Sequence, residues 1–287
     1  MVTIMDIKKM DFAGAWYPET AKECEKQIDQ FTRSSDFIIP PAKEYSACIS
    51  PHAGWYFSGK IACNVIKYLK SEDHVDVIVL FGKHLHGLSP ATILTNCILE
   101  TPFGNLEIDN DFSEELIKRL ELNIETASSF KPDNTIELQL PFIKYFFPNT
   151  KIIVIGAPLK KLSIEIGQTV VTVAKKSGTN IKIIGSTDMT HYGDNFGFTP
   201  VGFGPGAVEW VKHKNDQKMI EAMMSLNGDE VLKQASENYN ACCGGAVAST
   251  VAAAKELGCL SGQVVAYSSS YDLSPGDSFV CYGGLVY

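Results

Sequence analysis

The residues of this 287-residue chain best suited to metal binding or proton transfer are six histidines and eight cysteines. Their placement is uneven. Three short apolar runs each lead into a histidine: ACIS into Pro51-His52, VIVLFG into Lys83-His84-Leu85-His86, and IKIIG into Ser186-Thr187-Asp188-Met189-Thr190-His191. In open α/β sheets, ligands bind beyond the carboxyl ends of the strands. Histidines delivered there by separate strands can converge. One histidine at a strand end is more often a cap or a solvated residue, but the repetition favours a site. His74 and His213 sit in polar surroundings and read as bystanders, and His86 reads as the spare of an HxH pair.

Two further groups carry chemistry. Cys242-Cys243-Gly244-Gly245 opens a small, apolar helical stretch. A thiol near a helix N-terminus is drawn towards thiolate, which is a metal ligand; two small residues packing a tight turn is an equally good account. Glu137, in Asn134–Phe142, reads equally as a helix-start carboxylate or a catalytic one. Gly202-Phe203-Gly204-Pro205-Gly206 shares only its glycine content with a phosphate loop, and no GxSxG elbow occurs.

These residues need a scaffold. The runs Tyr45–Ser50, Val75–Phe81, Lys151–Gly156 and Ile181–Gly185 have the β-branched content of buried strands. Helical patterns lie over Glu19–Thr32, Lys60–Lys70, Phe112–Leu120, Leu162–Lys175 and Ala241–Leu257, with further strands expected at Val264–Ser268 and Phe279–Val286. The alternation predicts an α/β fold, with a mixed, mostly parallel central sheet flanked by helices. No linker or repeat divides the chain, so a single domain over 1–287 is expected.

Composition narrows the function. Hydrophobic residues make up 45% and charged residues 20%, and the formal net charge is −8 from 25 basic and 33 acidic residues. That balance argues against a nucleic-acid partner. No apolar run is long enough for a membrane span. The opening residues have scattered charges and no apolar core, unlike a signal peptide. The cysteines form no CxxC pair. Reduced thiols in a cytoplasm are therefore expected.

Taken together, five blocks carry a resemblance: Ala13-Gly14-Ala15-Trp16-Tyr17-Pro18, Pro51-His52-Ala53-Gly54-Trp55-Tyr56-Phe57-Ser58-Gly59, Ile136–Phe142, Ser186–Gly193 and Cys243-Gly244. In order and spacing, from about Asp11 to the C-terminus, the chain resembles the Memo family, also called AmmeMemoRadiSam system protein B in microbes. The resemblance implies a fold like that of class III extradiol dioxygenases, non-haem iron enzymes that cleave catechol rings with O₂. It implies that His52 and His84 are metal ligands, with Cys243 standing where those enzymes have a glutamate. His191 matches the histidine that serves them as acid/base, and Asp188 is its companion.

The chain departs from the family in two places. Gly82-Lys83-His84-Leu85-His86 replaces Gly-Pro-Ser-His-His, and Asp133-Asn134-Thr135 replaces Glu-His-Ser, so Asn134 takes the place of a cleft histidine. His86 is the residue that could compensate. Trp16, Trp55, Tyr56 and Tyr192 are expected to supply an aromatic pocket wall together with His86, Asn134 and Glu137, although each aromatic could equally be packing. The expected cofactor is iron(II), with copper or zinc as alternatives because thiolate is a softer ligand. Two functions follow: a metal-dependent oxidoreductase, or a non-catalytic protein that binds a peptide or small molecule in the same cleft. The microbial family name also suggests a functional link to a radical SAM protein.

Overall fold

The computed structural model describes residues 6–33, 37 and 44–287. Residues 1–5, part of the opening segment read for a targeting signal, lie outside the described residues. The strands are β1 (Asp6–Lys8), β2 (Ala47–Ser50), β3 (Val77–Gly82), β4 (Thr92–Leu94), β5 (Cys97–Leu99), β6 (Leu106–Glu107), β7 (Asn123–Glu125), β8 (Lys151–Gly156), β9 (Ile181–Ser186), β10 (His191–Tyr192), β11 (Gln263–Ser269) and β12 (Phe279–Val286). Among the described residues, β1, β5 and β6 form a small sheet. The large sheet runs β10-β12-β2-β9-β3-β8-β4-β7, with β11 also against β12.

The centre of the large sheet is parallel and its flanks are mixed. β2, β9, β3 and β8 pair in parallel, β12 runs antiparallel to β2, β10 and β11, and β4 runs antiparallel to β8. The four central strands have no polar face, as strands buried on both sides should not. Along β3, Val79 and Phe81 enter one hydrophobic core while Ile78 and Leu80 enter the other. Helix Gly244–Glu256 covers the first face and Lys60–Lys67 the second. This is the mixed α/β sheet flanked by helices that the strand-then-helix alternation predicts.

Register decides where the chemistry goes. Ser50 pairs with Ser186, Phe81 with Gly185 and Gly82 with Gly156, so the central strands end level. The segments leaving them start from one edge of the sheet. The long helices lie close to their sequence-predicted bounds: Ala21–Thr32, Leu162–Ser177 and Gly244–Glu256. The last begins later than the pattern suggested, at Gly244, which leaves Cys242 and Cys243 ahead of the first turn. Its glycines permit this: a Cβ on Gly245 would lie 2.3 Å from the Ala157 carbonyl oxygen, and one on Gly244 would lie 2.4 Å from Ala235 Cβ. Only glycine lets the helix start press this tightly against the loop after β8. Among the described residues, no helix is long and apolar enough to cross a membrane.

Candidate metal centre

His52 leaves β2 through Pro51 and is buried. Its backbone N–H donates to Asp188 Oδ1 at 2.7 Å, and its ring Nδ1 lies 2.9 Å from Ser186 Oγ. With Nδ1 engaged by the serine, Nε2 is the nitrogen left to face the thiols. Such a second hydrogen bond is the usual device for orienting a ligating imidazole. Gln139 stands behind it, donating from Nε2 to the Pro51 carbonyl at 2.9 Å and accepting from Ser50 Oγ at 2.7 Å. Asn134 Nδ2 donates to the His52 carbonyl at 3.2 Å.

His84 arrives after β3 by a sharper route. Lys83 has φ of 70°, a left-handed conformation that costs a residue with a Cβ about 1–2 kcal/mol. Its N–H donates to Thr135 Oγ1 at 2.7 Å, and Thr135 in turn is tied to Asp133. The Lys83 ammonium points away, ion-paired to Glu125 at 2.6 Å and 4.6 Å from the centre of the Phe130 ring. The departure from the family pattern at Lys83 therefore anchors the turn, and its ammonium is engaged by Glu125. The His52 and His84 rings meet edge to face, 5.1 Å apart.

The thiols complete the group. Ligand atoms of His52, His84, Cys242 and Cys243 all lie within 4.8 Å of one another. Cys242 Sγ is 3.3 Å from His52 Nε2 and 3.8 Å from Cys243 Sγ, and it accepts the Asp188 N–H at 3.2 Å. The Cys243 N–H donates to Thr187 Oγ1 at 3.1 Å. Cys242, which the resemblance does not place among the ligands, lies in this group as well. The doublet was visible, but nothing in a vicinal pair says which thiol turns inward.

The electrostatics match a ligand set. Burial raises the Cys242 thiol, yet the Cys243 thiol and the two imidazoles carry it well below the usual range. Cys243 is pushed up, by burial and then by its neighbour. Burial would depress His52, but Asp188 and Cys242 carry it up to about 9. Soft sulfur and orientable nitrogen around one point fit a transition-metal ion.

A cleft of roughly 460 Å³ opens over this floor, lined by His52, His84, Trp16, Tyr56, Asn134, Asp188 and His191 among others. His191 Nδ1 lies 3.2 Å from the Met189 carbonyl, which can only accept, so Nδ1 is the donor there and, in the neutral ring, Nε2 is the acceptor. Asp188 was expected to orient His191, but it turns to His52 instead: Oδ1 takes the His52 N–H, and Oδ2 lies 3.9 Å from His52 Nε2.

Four residues of the expected pocket wall lie elsewhere. Trp55 is buried, stacked on Phe142 with ring centres 4.1 Å apart. Tyr192 is buried against Phe279, its hydroxyl donating to the Gly202 carbonyl. Glu137 accepts from the Asp11 and Phe12 N–H groups and the Tyr17 hydroxyl, pinning the AGAWYP segment. His86 is exposed, outside both the ligand cluster and the cleft lining. Two of these are aromatics whose apolar area the core takes, one is a carboxylate consumed by backbone donors, and the last is the solvated member of the HxH pair. Ser186, Thr187 and Gln139 are positioning residues to which the sequence pattern assigns no role, although all three lie inside the blocks that carry the resemblance.

A family profile described as Memo-like protein matches residues 8–286. Similar curated proteins include the MEMO1 family protein of Methanopyrus kandleri, 28% identical with 96% of each chain covered. That of Nitrosopumilus maritimus is 28% identical, covering 98% of this chain and 99% of its own. That of Methanococcus vannielii is 30% identical, with 83% of this chain and 82% of its own covered.

Proposed function

Because the chain belongs to the Memo family, we propose that it is a mononuclear metal-dependent oxidoreductase acting on a small molecule held in the cleft. The observation that supports this reading is that ligand atoms of His52, His84 and Cys243 lie within 4.8 Å of one another, with both histidines lining the cleft. Iron(II) is the first metal proposed, with copper or zinc as alternatives, since the set mixes imidazole with thiolate. A bound ion would supply Lewis acidity and, for iron or copper, one-electron chemistry. The chain's own residues do the rest. Ser186 and Asp188 hold His52 in a ligating orientation, and the Lys83 turn presents His84. His191 Nε2 takes a proton from a substrate hydroxyl and returns it to product. Asn134, Trp16 and Tyr56 shape the space the substrate fills. Anaerobic addition of Fe(II), Cu(I) or Zn(II), followed by an O₂-uptake screen with catechols, tests this: metal-dependent uptake is expected, and none across a broad screen would remove the oxidoreductase part. A link to a radical SAM protein and a cytoplasmic location belong to the same proposal.

A second reading, a binding module for a peptide or small molecule, is supported by the exposed aromatic rim. Tyr56 is 76% and Trp16 41% exposed at the cleft mouth, beside Phe57 and Phe196. Ligand binding without metal, at wild-type affinity in Cys243→Ala, would favour the module.

A further inference from the structure

The proposed function uses three donors, and a three-donor set leaves positions open. The structure brings a fourth. Cys242 Sγ sits 3.8 Å from Cys243 Sγ and 3.3 Å from His52 Nε2, within a group whose ligand atoms, His84 included, span no more than 4.8 Å. A tetrahedral zinc ion with Zn–S of about 2.3 Å and Zn–N of about 2.0–2.1 Å places two sulfurs about 3.8 Å apart and a sulfur and a nitrogen about 3.5 Å apart. The sulfur separation agrees with that figure, and the sulfur–nitrogen one differs from it by a few tenths of an ångström.

The position of Cys242 is also fixed by its surroundings. Its backbone N–H donates to the Asp188 carbonyl at 3.1 Å, while its sulfur accepts the Asp188 N–H. The residue is thus clamped on both sides by the segment that follows β9. Thr187 Oγ1 holds the next backbone N–H, so both sulfurs are presented together ahead of helix Gly244–Glu256. A cysteine that only filled space there would not need its sulfur set against two imidazoles.

We propose that Cys242 is a fourth metal donor, so that the resting site is a closed, four-coordinate set of two imidazoles and two thiolates suited to Zn²⁺ or a cation of that class. This rests on the metal reading above and sharpens it. Two thiolates shift preference from hard, six-coordinate ions towards borderline ones that accept a tetrahedron. A position for substrate then opens only when one donor moves off. His52 and Cys243 are buried, so the donors free to move are the half-buried Cys242 and the exposed His84.

Anaerobic titration of the full chain with Co²⁺ tests this, because the intensity of the sulfur-to-cobalt charge-transfer band reports the number of bound thiolates. Wild type is expected to bind one Co²⁺ with the strong visible bands of a tetrahedral ion. Cys242→Ser should still bind it but lose about half of the charge-transfer intensity, and Zn²⁺ affinity should fall by more than about 100-fold, the upper range for losing an outer-layer partner. Full intensity in Cys242→Ser would overturn the proposal while leaving the three-donor site standing. A wild-type chain that takes up no cobalt would overturn the metal reading itself. Should Cys242→Ser fail to fold, X-ray absorption of the zinc-loaded wild type decides: two sulfurs at about 2.3 Å support the proposal, and one overturns it.

Discussion

Two polar clusters hang from the same nine-residue segment, Ser186–Asp194. Upstream, Ser186, Thr187 and Asp188 serve the group of His52, His84, Cys242 and Cys243. Two residues on, Thr190 turns the other way. Its hydroxyl and N–H donate to Asp216 Oδ1, Tyr267 donates to Oδ2 at 2.6 Å, and Asn215 Nδ2 donates to the Thr190 oxygen at 2.9 Å. Both clusters are polar and mostly buried, with His84 the exposed exception. They differ in how their groups are used. Around Asp216 the donors end on acceptors within the fold, leaving the Asn215 Oδ1 as a buried acceptor without a partner, and the network holds the Pro205–Met224 helical region to the sheet. Around His52, a nitrogen each from His52 and His84 and two sulfurs still lie within 4.8 Å of one another beneath an open cleft. A network whose donors are spent on packing reads as architecture, and one whose nitrogen and sulfur lone pairs converge under a cleft reads as a site.

The comparison can be broken most forcefully at His191. It borders both clusters but makes its ring hydrogen bond only to Met189. His191→Ala should keep metal affinity and melting temperature while losing about 10²–10⁴ in any turnover found. Loss of metal first would make it a ligand, and a lower melting temperature would move it to the architectural side.

Asp216→Ala should do the reverse. Removing that carboxylate strands three buried donors, a cost of about 3 kcal/mol in denaturant unfolding, with metal stoichiometry unchanged. Loss of metal without loss of stability would erase the distinction between the clusters.

The pH response separates them further. A protonated His52 cannot ligate, and its pKa lies at about 9 without metal. Metal affinity should therefore climb as pH rises towards 9, by up to about ten-fold per unit for each proton displaced. The raised pKa also means that metal-free His52 contributes stability below its unfolded value of about 6.5, lost as pH rises through about 9. Asp216 is raised to about 6 by burial, so its share of stability instead declines as pH rises from about 4 to 6. Calorimetry across pH 4–10, with and without metal, should show both windows, the upper one vanishing when metal is bound.

The smallest effect is expected at the cleft mouth. Trp16→Ala should weaken a cleft ligand by about 1 kcal/mol, roughly five-fold in Kd, without touching metal or melting temperature.

The parallel centre of the sheet was legible because β-branched runs ending in Gly or Ser leave little choice of structure. The flanking strands of two or three residues, Thr92–Leu94 and His191–Tyr192 among them, were not, since two residues carry no periodicity. The strand-end rule brought out the His52, His84 and His191 placements. It could not separate Trp16, at the cleft mouth, from Trp55, which Phe142 draws into the core. Nor could it show that Asp188 faces His52 and not His191, because the direction of a side chain after a strand end is set by partners far away in sequence. Cys242 was in view throughout; only the distances give it a role.

The measurement closest to the central claim is metal content by mass spectrometry on protein purified without oxygen or chelators, wild type beside His52→Ala and Cys243→Ala. One ion per wild-type chain, absent from both variants while their melting profiles remain cooperative, is the predicted result. Equal metal content in all three would contradict the site.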